Sequence, residues 1–458
     1  SNRTEAPDLT PDRDDIYLVS VKDGETNKLE TEGASKYALS FSPDGRFLAY
    51  IGDVEEGKWW QNARLWLASV DGSQPVRKLS QSFDYHLMAF SGSDTGGGNM
   101  MSPTWAPDGN TIYVQALHKG DVALMSFSPI GDAITVNQLI ETHGIVGPYT
   151  FDKAHQKLAY VLGNQDGPGQ LYVRDLNKGS DRQLTKLNQS WLRRKALGNI
   201  EEVWFDAKDG YELHGWILKP NGFDPSKQYP SILEIHGGPQ TQYDRGFMHE
   251  FFFLAAAGYV VYWSNPRGGQ GYGEAHCKAI YNNWGTVDYY DVMAWADYMR
   301  EKSYIDPRRM GVTGGSYGGY MTNMIIGRAP DYFKAAVTQR SVSNFFSMWG
   351  SSDVNWQLQQ SVGDNKPPHA NLDKYWDQSP MKYINNAKTP TLVIHSEFDM
   401  RVAQEQGEQV FVALRKLGVD TEMVLFPGEP HGLSRDGRTD RRVQRLNHIL
   451  RWFDKYLK

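Results

Sequence analysis

The chain has almost no thiols and no long apolar run, and both absences restrict what it can be. Its 458 residues include one cysteine, Cys277, so no internal disulfide bond can form. A protein without disulfides fits a reducing compartment, or one in which thiols are avoided. No stretch reaches the roughly 18 apolar residues that a membrane-spanning helix requires, and the longest, 251–261, is interrupted by Gly258. Because no signal peptide is recognisable at its start, the sequence predicts a cytoplasmic protein without a membrane partner.

An excess of positive charge is absent as well. The chain carries 48 lysines and arginines against 54 aspartates and glutamates, for a formal net charge of −6. A basic surface is expected of a nucleic-acid-binding protein, so the sequence predicts no nucleic-acid partner. Hydrophobic residues make up 40% of the chain, which is enough for a substantial core. Because 458 residues exceed what one compact core usually contains, we expect two domains.

Motifs for metals and nucleotides are also missing. His249 and Glu250 lack the second histidine of a zinc protease motif, and no other histidine pair has the spacing of metal ligands. There is no Gly-x-x-x-x-Gly-Lys sequence, and the glycine-rich segment 268–273 does not match a dinucleotide-binding fingerprint. The sequence therefore predicts neither a cofactor nor a metal site.

A short pattern recurs within residues 1–195. Phe41-Ser-Pro-Asp-Gly-Arg-Phe-Leu-Ala-Tyr50 is followed by Trp105-Ala-Pro-Asp-Gly-Asn-Thr-Ile-Tyr-Val114 and by a degraded copy at 151–160. Each copy has an aromatic residue, a turn and an alternating strand; proline sets φ in the turn, and glycine accepts a positive φ. Further strands are predicted at 15–19, 64–68, 122–126 and 170–174. Repeats of about 40 residues with four strands each are typical of β-propeller blades.

The number of repeats is too small for a whole propeller. Residues 1–195 hold roughly four blades, and the first lacks its leading strands. Closing a ring with half a blade would leave an open sheet edge. We therefore expect a partial β-propeller of about four blades at 1–195, with the missing N-terminal blades belonging to the same, longer polypeptide. A β-sandwich with coincidental Pro-Asp-Gly turns is the alternative.

Beyond residue 195, predicted strands alternate with predicted helices. Two antiparallel strands come first, at 202–206 and 213–218. Further strands are predicted at 231–235, 259–263, 333–338, 391–395 and 422–426, and helices at 247–257, 287–302, 402–417 and 440–457. Alternation of this kind produces a mostly parallel sheet that is covered by helices on both faces, and we assign it to residues 196–458.

One segment of this second domain carries a candidate nucleophile. Met310-Gly-Val-Thr-Gly-Gly-Ser-Tyr-Gly-Gly-Tyr-Met321 reads as an apolar strand, a glycine-rich turn and the start of a helix, and its centre matches Gly-x-Ser-x-Gly. Such a turn lifts the hydroxyl of Ser316 to a helix N-terminus, where a developing oxyanion is stabilised. A glycine-rich turn without chemistry is the alternative, but the flanking strand and helix favour an α/β-hydrolase domain.

A serine hydroxyl needs a base, and the base needs an orienting carboxylate. In α/β-hydrolases the order is serine, acid, histidine, with each residue following a strand. The predicted strand at 391–395 runs into Asp399, and the next strand runs into His431, so these two residues complete the set with Ser316. Glu397 is the nearest competitor of Asp399, but it lies closer to the strand end and has less reach. The alternative for His431 is a solvated loop histidine, and the alternative for Asp399 is a helix cap ahead of Val402. Each alternative is common when the residue is considered alone.

Two backbone N–H groups are expected to stabilise the oxyanion. One belongs to the residue after the nucleophile, Tyr317. The other should come from the loop after an early strand, and Ile235-His236-Gly-Gly-Pro239 matches the His-Gly-Gly type of loop, so we choose Gly237. His236 could be a second base, but its place at a strand end beside glycines favours a structural role.

Together these segments resemble the prolyl oligopeptidase family of serine peptidases, and most of all the acylaminoacyl peptidases and their bacterial relatives. The motifs that carry the resemblance cover nearly the whole second domain: His236-Gly-Gly-Pro239, Ser264-Asn-Pro-Arg-Gly-Gly-Gln-Gly-Tyr-Gly273, Trp284-Gly-Thr-Val-Asp288, Gly314-Gly-Ser-Tyr-Gly-Gly-Tyr-Met321, Ser396-Glu-Phe-Asp-Met-Arg-Val402 and Pro430-His-Gly-Leu-Ser434. The resemblance implies cleavage of short peptides, with a propeller limiting access by folded proteins. It also implies an apolar substrate pocket near Phe346, Trp349 and Val402, although the aromatic run at 345–346 could equally be core.

The resulting hypothesis is a serine peptidase that releases N-acylated amino acids from blocked peptides. A dipeptidyl aminopeptidase, a general oligopeptidase or an esterase with the same triad are the alternatives, and a scaffold with a decayed hydrolase domain is a further one. The oligomeric state is left open, a homo-oligomer included.

Overall fold

The structure is a computed structural model, and it describes residues 6, 9–11, 13–90, 92–94, 100–129, 135–195 and 197–458. The chain divides into two compact units. The first contains the described residues up to Ser190, together with Asp244–Phe247 and Gln270–Lys278. The second contains Trp191–Tyr243, Met248–Gly269 and Ala279–Lys458.

The first unit is built from short strands that pair mainly with their neighbours along the chain. One hairpin and one four-stranded antiparallel sheet come first: β1 (Ile16–Val19) with β2 (Thr26–Leu29), then β3 (Lys36–Phe41), β4 (Phe47–Gly52), β5 (Arg64–Ser69) and β6 (Arg77–Lys78). A larger sheet follows: β7 (Thr104–Trp105), β8 (Ile112–His118), β9 (Asp121–Phe127), β10 (Val136–Gln138), β11 (Ile145–Phe151), β12 (Lys157–Asn164), β13 (Gly167–Asp175) and β14 (Ser180–Gln183). In that sheet β11 joins β9 by a parallel pairing, and the other pairs are antiparallel.

The repeated turns close their hairpins by the chemistry that the sequence predicts. In the first copy Gly45 has a φ of 72°, and Asp44 Oδ1 accepts a hydrogen bond of 2.7 Å from Ser42 Oγ. Gly109 occupies the equivalent position of the second copy with a φ of 73°. In the degraded third copy His155 takes this place with a φ of 49°, and Asp152 Oδ1 accepts from two backbone N–H groups. Asp152 stands at the position of Ser42, so a side-chain acceptor at the second position closes the turn even where glycine is lost.

The sheet of the second unit is mixed. Its strands are β15 (Asn199–Asp206), β16 (Glu212–Lys219), β17 (Tyr229–Ile235), β18 (Val260–Asn265), β19 (Ile305–Gly315), β20 (Ala335–Gln339), β21 (Thr391–Ser396) and β22 (Thr421–Phe426). They lie in the order β15-β16-β18-β17-β19-β20-β21-β22. The pairs β15-β16 and β16-β18 are antiparallel, and all the others are parallel. The predicted antiparallel start and parallel continuation are both confirmed.

The helices are as follows: α1 (Gln189–Leu192), α2 (His249–Ala256), α3 (Glu274–Lys278, within the first unit), α4 (Val287–Arg300), α5 (Tyr317–Arg328), α6 (Phe345–Ser351), α7 (Asn355–Ser361), α8 (Leu372–Asp377), α9 (Gln404–Lys416), α10 (Leu433–Asp436) and α11 (Thr439–Leu457). Single 3₁₀ turns occur at Pro368–Ala370, Pro380–Lys382 and Ile384–Asn386. The segment between β20 and β21, which contains α6 to α8, was not predicted to be helical. Across the described part of the chain, none of the helices has both the length and the apolar character needed to cross a membrane.

Helices cover both faces of the central strand β19, whose end carries Ser316. Gly311 leaves room for α11, because a Cβ atom there would lie 2.7 Å from Phe453 Cε1. The next residue, Val312, points to the opposite face, as alternate residues of a strand do. On that face it is buried in one cluster with Trp295 of α4 and Ile325 of α5. The strand is thus rigidly held where it delivers the candidate nucleophile.

Candidate active site

Ser316 lies at a sharp turn between β19 and α5. Its φ of 61° and ψ of −119° are uncommon for a residue with a side chain. The turn is fixed from both sides, since Ser316 N donates to Gln339 O at 2.9 Å and Ser316 O accepts from Tyr320 N at 2.8 Å. Backbone strain that the surroundings hold in place is typical of functional sites, and a strained strand-to-helix turn is the geometry of a nucleophile elbow.

The glycines on either side of Ser316 are required by close backbone contacts. A Cβ atom on Gly318 would lie 2.0 Å from Ile235 O, the carbonyl at the end of the neighbouring strand β17. One on Gly314 would lie 2.6 Å from both Ile235 O and the carbonyl carbon of Gly318. No side chain fits at such distances without moving backbone, so the first and last glycines of the motif are explained by packing.

Three of the residues selected from the sequence meet at this turn. His431 Nε2 lies 3.0 Å from Ser316 Oγ, and His431 Nδ1 lies 2.7 Å from Asp399 Oδ2. Because an ionised carboxylate can only accept, Nδ1 carries the proton of the neutral imidazole and Nε2 is free to accept from the hydroxyl. The three side chains form a hydrogen-bonded line in which a base stands beside a hydroxyl and a carboxylate orients the base.

The turn at 399–402 also fixes the second oxygen of Asp399. Oδ1 accepts from Val402 N at 2.8 Å and from Arg401 N at 3.1 Å, and the carboxylate is buried. Glu397, the competitor considered from the sequence, is exposed, and its Oε2 accepts from Gly428 N at 2.9 Å. The geometry therefore brings Asp399 to His431, whereas Glu397 binds the backbone at the start of the loop that carries His431.

The electrostatic surroundings keep His431 neutral. Burial lowers its pKa below the ordinary histidine value, and the nearby guanidinium of Arg340 acts in the same direction. The hydrogen bond with Asp399 opposes both effects. Burial also lowers the pKa of Arg340 itself, to about 9. A neutral imidazole is the form that can accept a proton from Ser316.

The two predicted oxyanion donors lie next to the nucleophile. Tyr317 is the first residue of α5, so its N–H is one of the donors that a helix leaves unpaired. A Cβ on Gly237 would lie 3.5 Å from Ser316 Cβ, so the backbone of Gly237 passes close to the serine. Within residues 197–458 neither N–H donates to another group. Beside them His236 is buried, its Nδ1 lies 2.6 Å from Gly237 O, and burial lowers its pKa to about 4.

The residues predicted for substrate binding are not all brought together. Phe346 and Trp349 of α6 line one cavity of about 520 Å³. Val402 is buried beside Asp399 and does not line that cavity. The remaining lining residues are Ser347, Gly350, Ser351, Pro368, His369 and Glu405.

An aromatic group next to the nucleophile escaped the sequence analysis. Phe345, the neighbour of Phe346, is fully buried, and its ring centroid lies 5.4 Å from that of Trp284. Trp284 in turn lies 5.4 Å from Tyr317, and the Tyr317 hydroxyl donates to Asp288 Oδ2 at 2.6 Å. Trp284 and Asp288 are the first and last residues of one of the motifs quoted above. That motif was the sequence signal that could have revealed this aromatic group. Among the described residues, no cluster of three or more histidine, cysteine, aspartate or glutamate side chains is arranged to hold a metal ion.

Comparisons with known proteins give the relationships of this chain. Residues 245–458 match the model of the prolyl oligopeptidase family. An uncharacterised peptidase of Bacillus subtilis, YuxL, is 37% identical over 96% of this chain and 74% of its own length. The chain belongs to the prolyl oligopeptidase family. As a member it is a serine-type peptidase with an α/β-hydrolase domain, which confirms the resemblance and the enzyme class predicted from the sequence.

Two further similarities are to peptidases whose names describe different activities. Dipeptidyl-peptidase 5 of Porphyromonas endodontalis is 30% identical over 97% of this chain and 62% of its own length. A solved acylaminoacyl peptidase in complex with Z-Gly-Gly-Phe-chloromethyl ketone is 27% identical, with a TM-score of 0.83 over 98% of this chain and 67% of that one. The chain thus spans only about two thirds of the length of these two relatives.

Proposed function

We propose that this chain hydrolyses short peptides through an acyl-enzyme on Ser316 and prefers peptides whose N-terminus is blocked, releasing N-acylated amino acids. The observation that carries the chemistry is the line of hydrogen bonds of 3.0 Å and 2.7 Å from Ser316 through His431 to Asp399. The fold supports the same chemistry, because it holds the serine at a strained turn beside two unpaired N–H groups.

The steps follow from the geometry. Ser316 Oγ attacks the scissile carbonyl carbon while His431 Nε2 takes its proton, and the carbonyl oxygen becomes an oxyanion facing the N–H groups of Gly237 and Tyr317. The imidazolium, stabilised by Asp399, then protonates the leaving amine, and the peptide bond breaks. Water attacks the acyl-enzyme in the second half, with His431 again as base, and the acid product leaves.

The preference for a blocked N-terminus rests on the partners that acidic pairs in the described part of the chain already have, since such pairs would be the candidates for binding a substrate ammonium. Such a group, once desolvated, needs a carboxylate. Two of the chain's acidic pairs, 55–56 and 201–202, are engaged elsewhere. Glu201 lies 2.6 Å from Lys219 Nζ, and Glu202 lies 3.0 Å from His214 Nε2. In the first unit Glu55 accepts from Lys58 and Gln61, and Glu56 lies 3.4 Å from Arg13.

The similar acylaminoacyl peptidase agrees with this preference, because its ligand Z-Gly-Gly-Phe-chloromethyl ketone carries a blocked N-terminus. Similarity to dipeptidyl-peptidase 5 supports the second candidate function, the release of dipeptides from free N-termini. The two candidates differ in one feature of the substrate, the charge on its N-terminus.

We also infer that the first unit is part of a β-propeller. The described four-stranded arrays β3 to β6, β7 to β10 and β11 to β14 each run antiparallel in sequence order, as the strands of a blade do. The recurring turn between the first two strands of each array, with a positive φ at Gly45, Gly109 and His155, supports the same assignment.

The test compares kcat/KM for an acetylated aminoacyl nitroanilide with that for the matched unblocked dipeptide nitroanilide, with Ser316→Ala as the control for background hydrolysis. We expect the blocked substrate to be hydrolysed faster. An advantage of about tenfold or more for the unblocked substrate, equal to roughly 1.4 kcal/mol, would identify an aminodipeptidase instead. Turnover of an ester analogue with no turnover of either amide would identify an esterase.

A further inference from the structure

A second histidine, His395, lies close to the candidate acid, with its Nε2 3.7 Å from Asp399 Oδ2. His395 is the next-to-last residue of β21 and is only 1% exposed. Its Nε2 lies 2.8 Å from Val402 O. A carbonyl oxygen can only accept, so Nε2 must carry the ring proton and donate it. Burial lowers the pKa of His395, which keeps the ring neutral in this tautomer.

The bond to Val402 connects His395 to the carboxylate. Val402 N donates to Asp399 Oδ1 at 2.8 Å, while Val402 O accepts from His395. The direct distance from His395 Nε2 to Asp399 Oδ2 is 3.7 Å, too long for a hydrogen bond. His395 therefore acts on Asp399 through the backbone of Val402, which is held from both sides.

Helix α9 is shaped to accommodate this ring. Gly407 faces it, and a Cβ atom there would lie 2.7 Å from His395 Nδ1. Glycine is unfavourable inside a helix compared with alanine, so its presence within Gln404–Lys416 calls for a packing reason. The close approach of the imidazole supplies one. The ring is thus wedged between the strand and the helix at a fixed distance from Val402.

We propose that His395 is a positioning residue that sets the turn at 399–402 and, through it, the orientation of Asp399 towards His431. The inference rests on the proposed function, in which Asp399 orients the base. Loss of the Nε2–H donor leaves Val402 O buried without that partner, and the turn relaxes to find another. Asp399 then moves relative to His431 Nδ1, and the base loses its alignment with Ser316 Oγ.

The test measures the rate constant for phosphonylation of Ser316 by a fluorophosphonate, a reaction that needs the aligned base and does not depend on which peptide is the substrate. In His395→Gln the side-chain amide can still donate from the position of Nε2, and we expect a rate constant within about threefold of the wild type. In His395→Leu the donor is gone, and we expect a fall of about tenfold or more, since a displacement near 1 Å can cost about a hundredfold.

Gly407→Ala perturbs the same ring from the other side. Alanine favours the helix, so a slower reaction in this variant would come from displacement of His395 and not from loss of α9. Val412→Ala, at an exposed position of the same helix, is the matched control and should react at the wild-type rate. The proton on His431 Nδ1 offers a second readout, because its low-field NMR signal should persist in His395→Gln and shift or vanish in His395→Leu.

The outcomes separate the two proposals. A wild-type protein that does not react at Ser316 would contradict the proposed function itself. A reactive wild type with an equally reactive His395→Leu variant would overturn only the role of His395. If His395→Leu does not fold, Gly407→Ala decides, and an unchanged rate constant and NMR signal there would overturn the inference.

Discussion

Strand partners in the first unit are mostly close along the chain, whereas most of those in the second unit come from more distant segments. β8 and β9 meet in a hairpin whose last pair is His118 with Asp121. In the second unit Leu233 of β17 pairs with Val312 of β19. The candidate triad follows the second pattern, because Ser316 and His431 are 115 residues apart in sequence. A parallel sheet can bring the ends of such separated strands to one edge, and this is where the chemistry assembles.

The hydrophobic cores of the two units differ as well, in the size of their clusters. Many buried apolar residues of the second unit belong to one large cluster that includes Trp295, Tyr317 and Phe345. Those described in the first unit form several smaller clusters, one of them around Trp66 and Tyr50. A change inside the large cluster should therefore alter the reactivity of Ser316, whereas a change inside a small cluster should affect only its surroundings.

The largest effect on activity is expected from a change to Asp399, the acid of the candidate triad. Asp399→Asn should lower kcat by about 10³–10⁴, because the amide favours the wrong imidazole tautomer. Glu397→Gln is the matched control, since its carboxylate binds Gly428 N and not His431. Steady-state kinetics on both variants give the ranking, and a larger loss in Glu397→Gln would reverse the assignment of the acid.

Two buried tryptophans test whether the cores are independent. Trp295→Ala and Trp66→Ala each remove a side chain that is at most 2% exposed, and each should cost about 3–5 kcal/mol of unfolding free energy. Only Trp295→Ala should also slow fluorophosphonate labelling at a temperature at which both variants are folded. Denaturant unfolding and labelling rates provide the comparison. An equal loss of labelling in Trp66→Ala would show that the first unit's cores are not local.

The sequence allowed most strands and helices to be located. The helix predicted at 287–302 is observed at Val287–Arg300, and that predicted at 440–457 is observed at Thr439–Leu457. Both predictions are confirmed. They succeeded because the apolar residues of these helices recur at helical spacing. The helices α6 to α8 were missed, since their residues show no comparable pattern. Within α6, Phe345 and Phe346 are chemically identical, and only the helix rotation buries one and exposes the other at 45%.

Contacts that depend on tertiary packing could not be predicted. His395 was visible as the last residue of the predicted strand at 391–395, but its bond to Val402 O depends on how the 399–402 turn folds back. The pairing of Tyr317 with Asp288 likewise joins two motifs that are 29 residues apart. By contrast, the order of serine, acid and histidine is a property of the chain itself, and the candidate triad followed from it.

The pH profile of kcat/KM compares the half-buried His431 with an exposed histidine. Because burial and Arg340 lower the pKa of His431, the acid limb of kcat/KM should fall below the ordinary histidine value of about 6.5. Arg340→Met should move this limb to higher pH. The lowered pKa of His431 also affects folding stability. As pH falls from the pKa of this group in the unfolded state through its pKa in the native state, the protein becomes less stable, because the unfolded state binds the proton more readily.

A matched control lies in the first unit, where the His143 side chain is 70% exposed. His143→Ala should leave the pH profile of kcat/KM unchanged. An acid limb of the wild type at or above the ordinary histidine value would contradict the electrostatic account of His431.

The central claim is that Ser316 is the nucleophile of a serine peptidase, and the most direct measurement is the site of covalent labelling. A fluorophosphonate should add once to the wild-type protein, and peptide mass spectrometry should locate the adduct on Ser316. Ser316→Ala should remain unlabelled. An adduct on another residue, or labelling that survives the substitution, would contradict the claim.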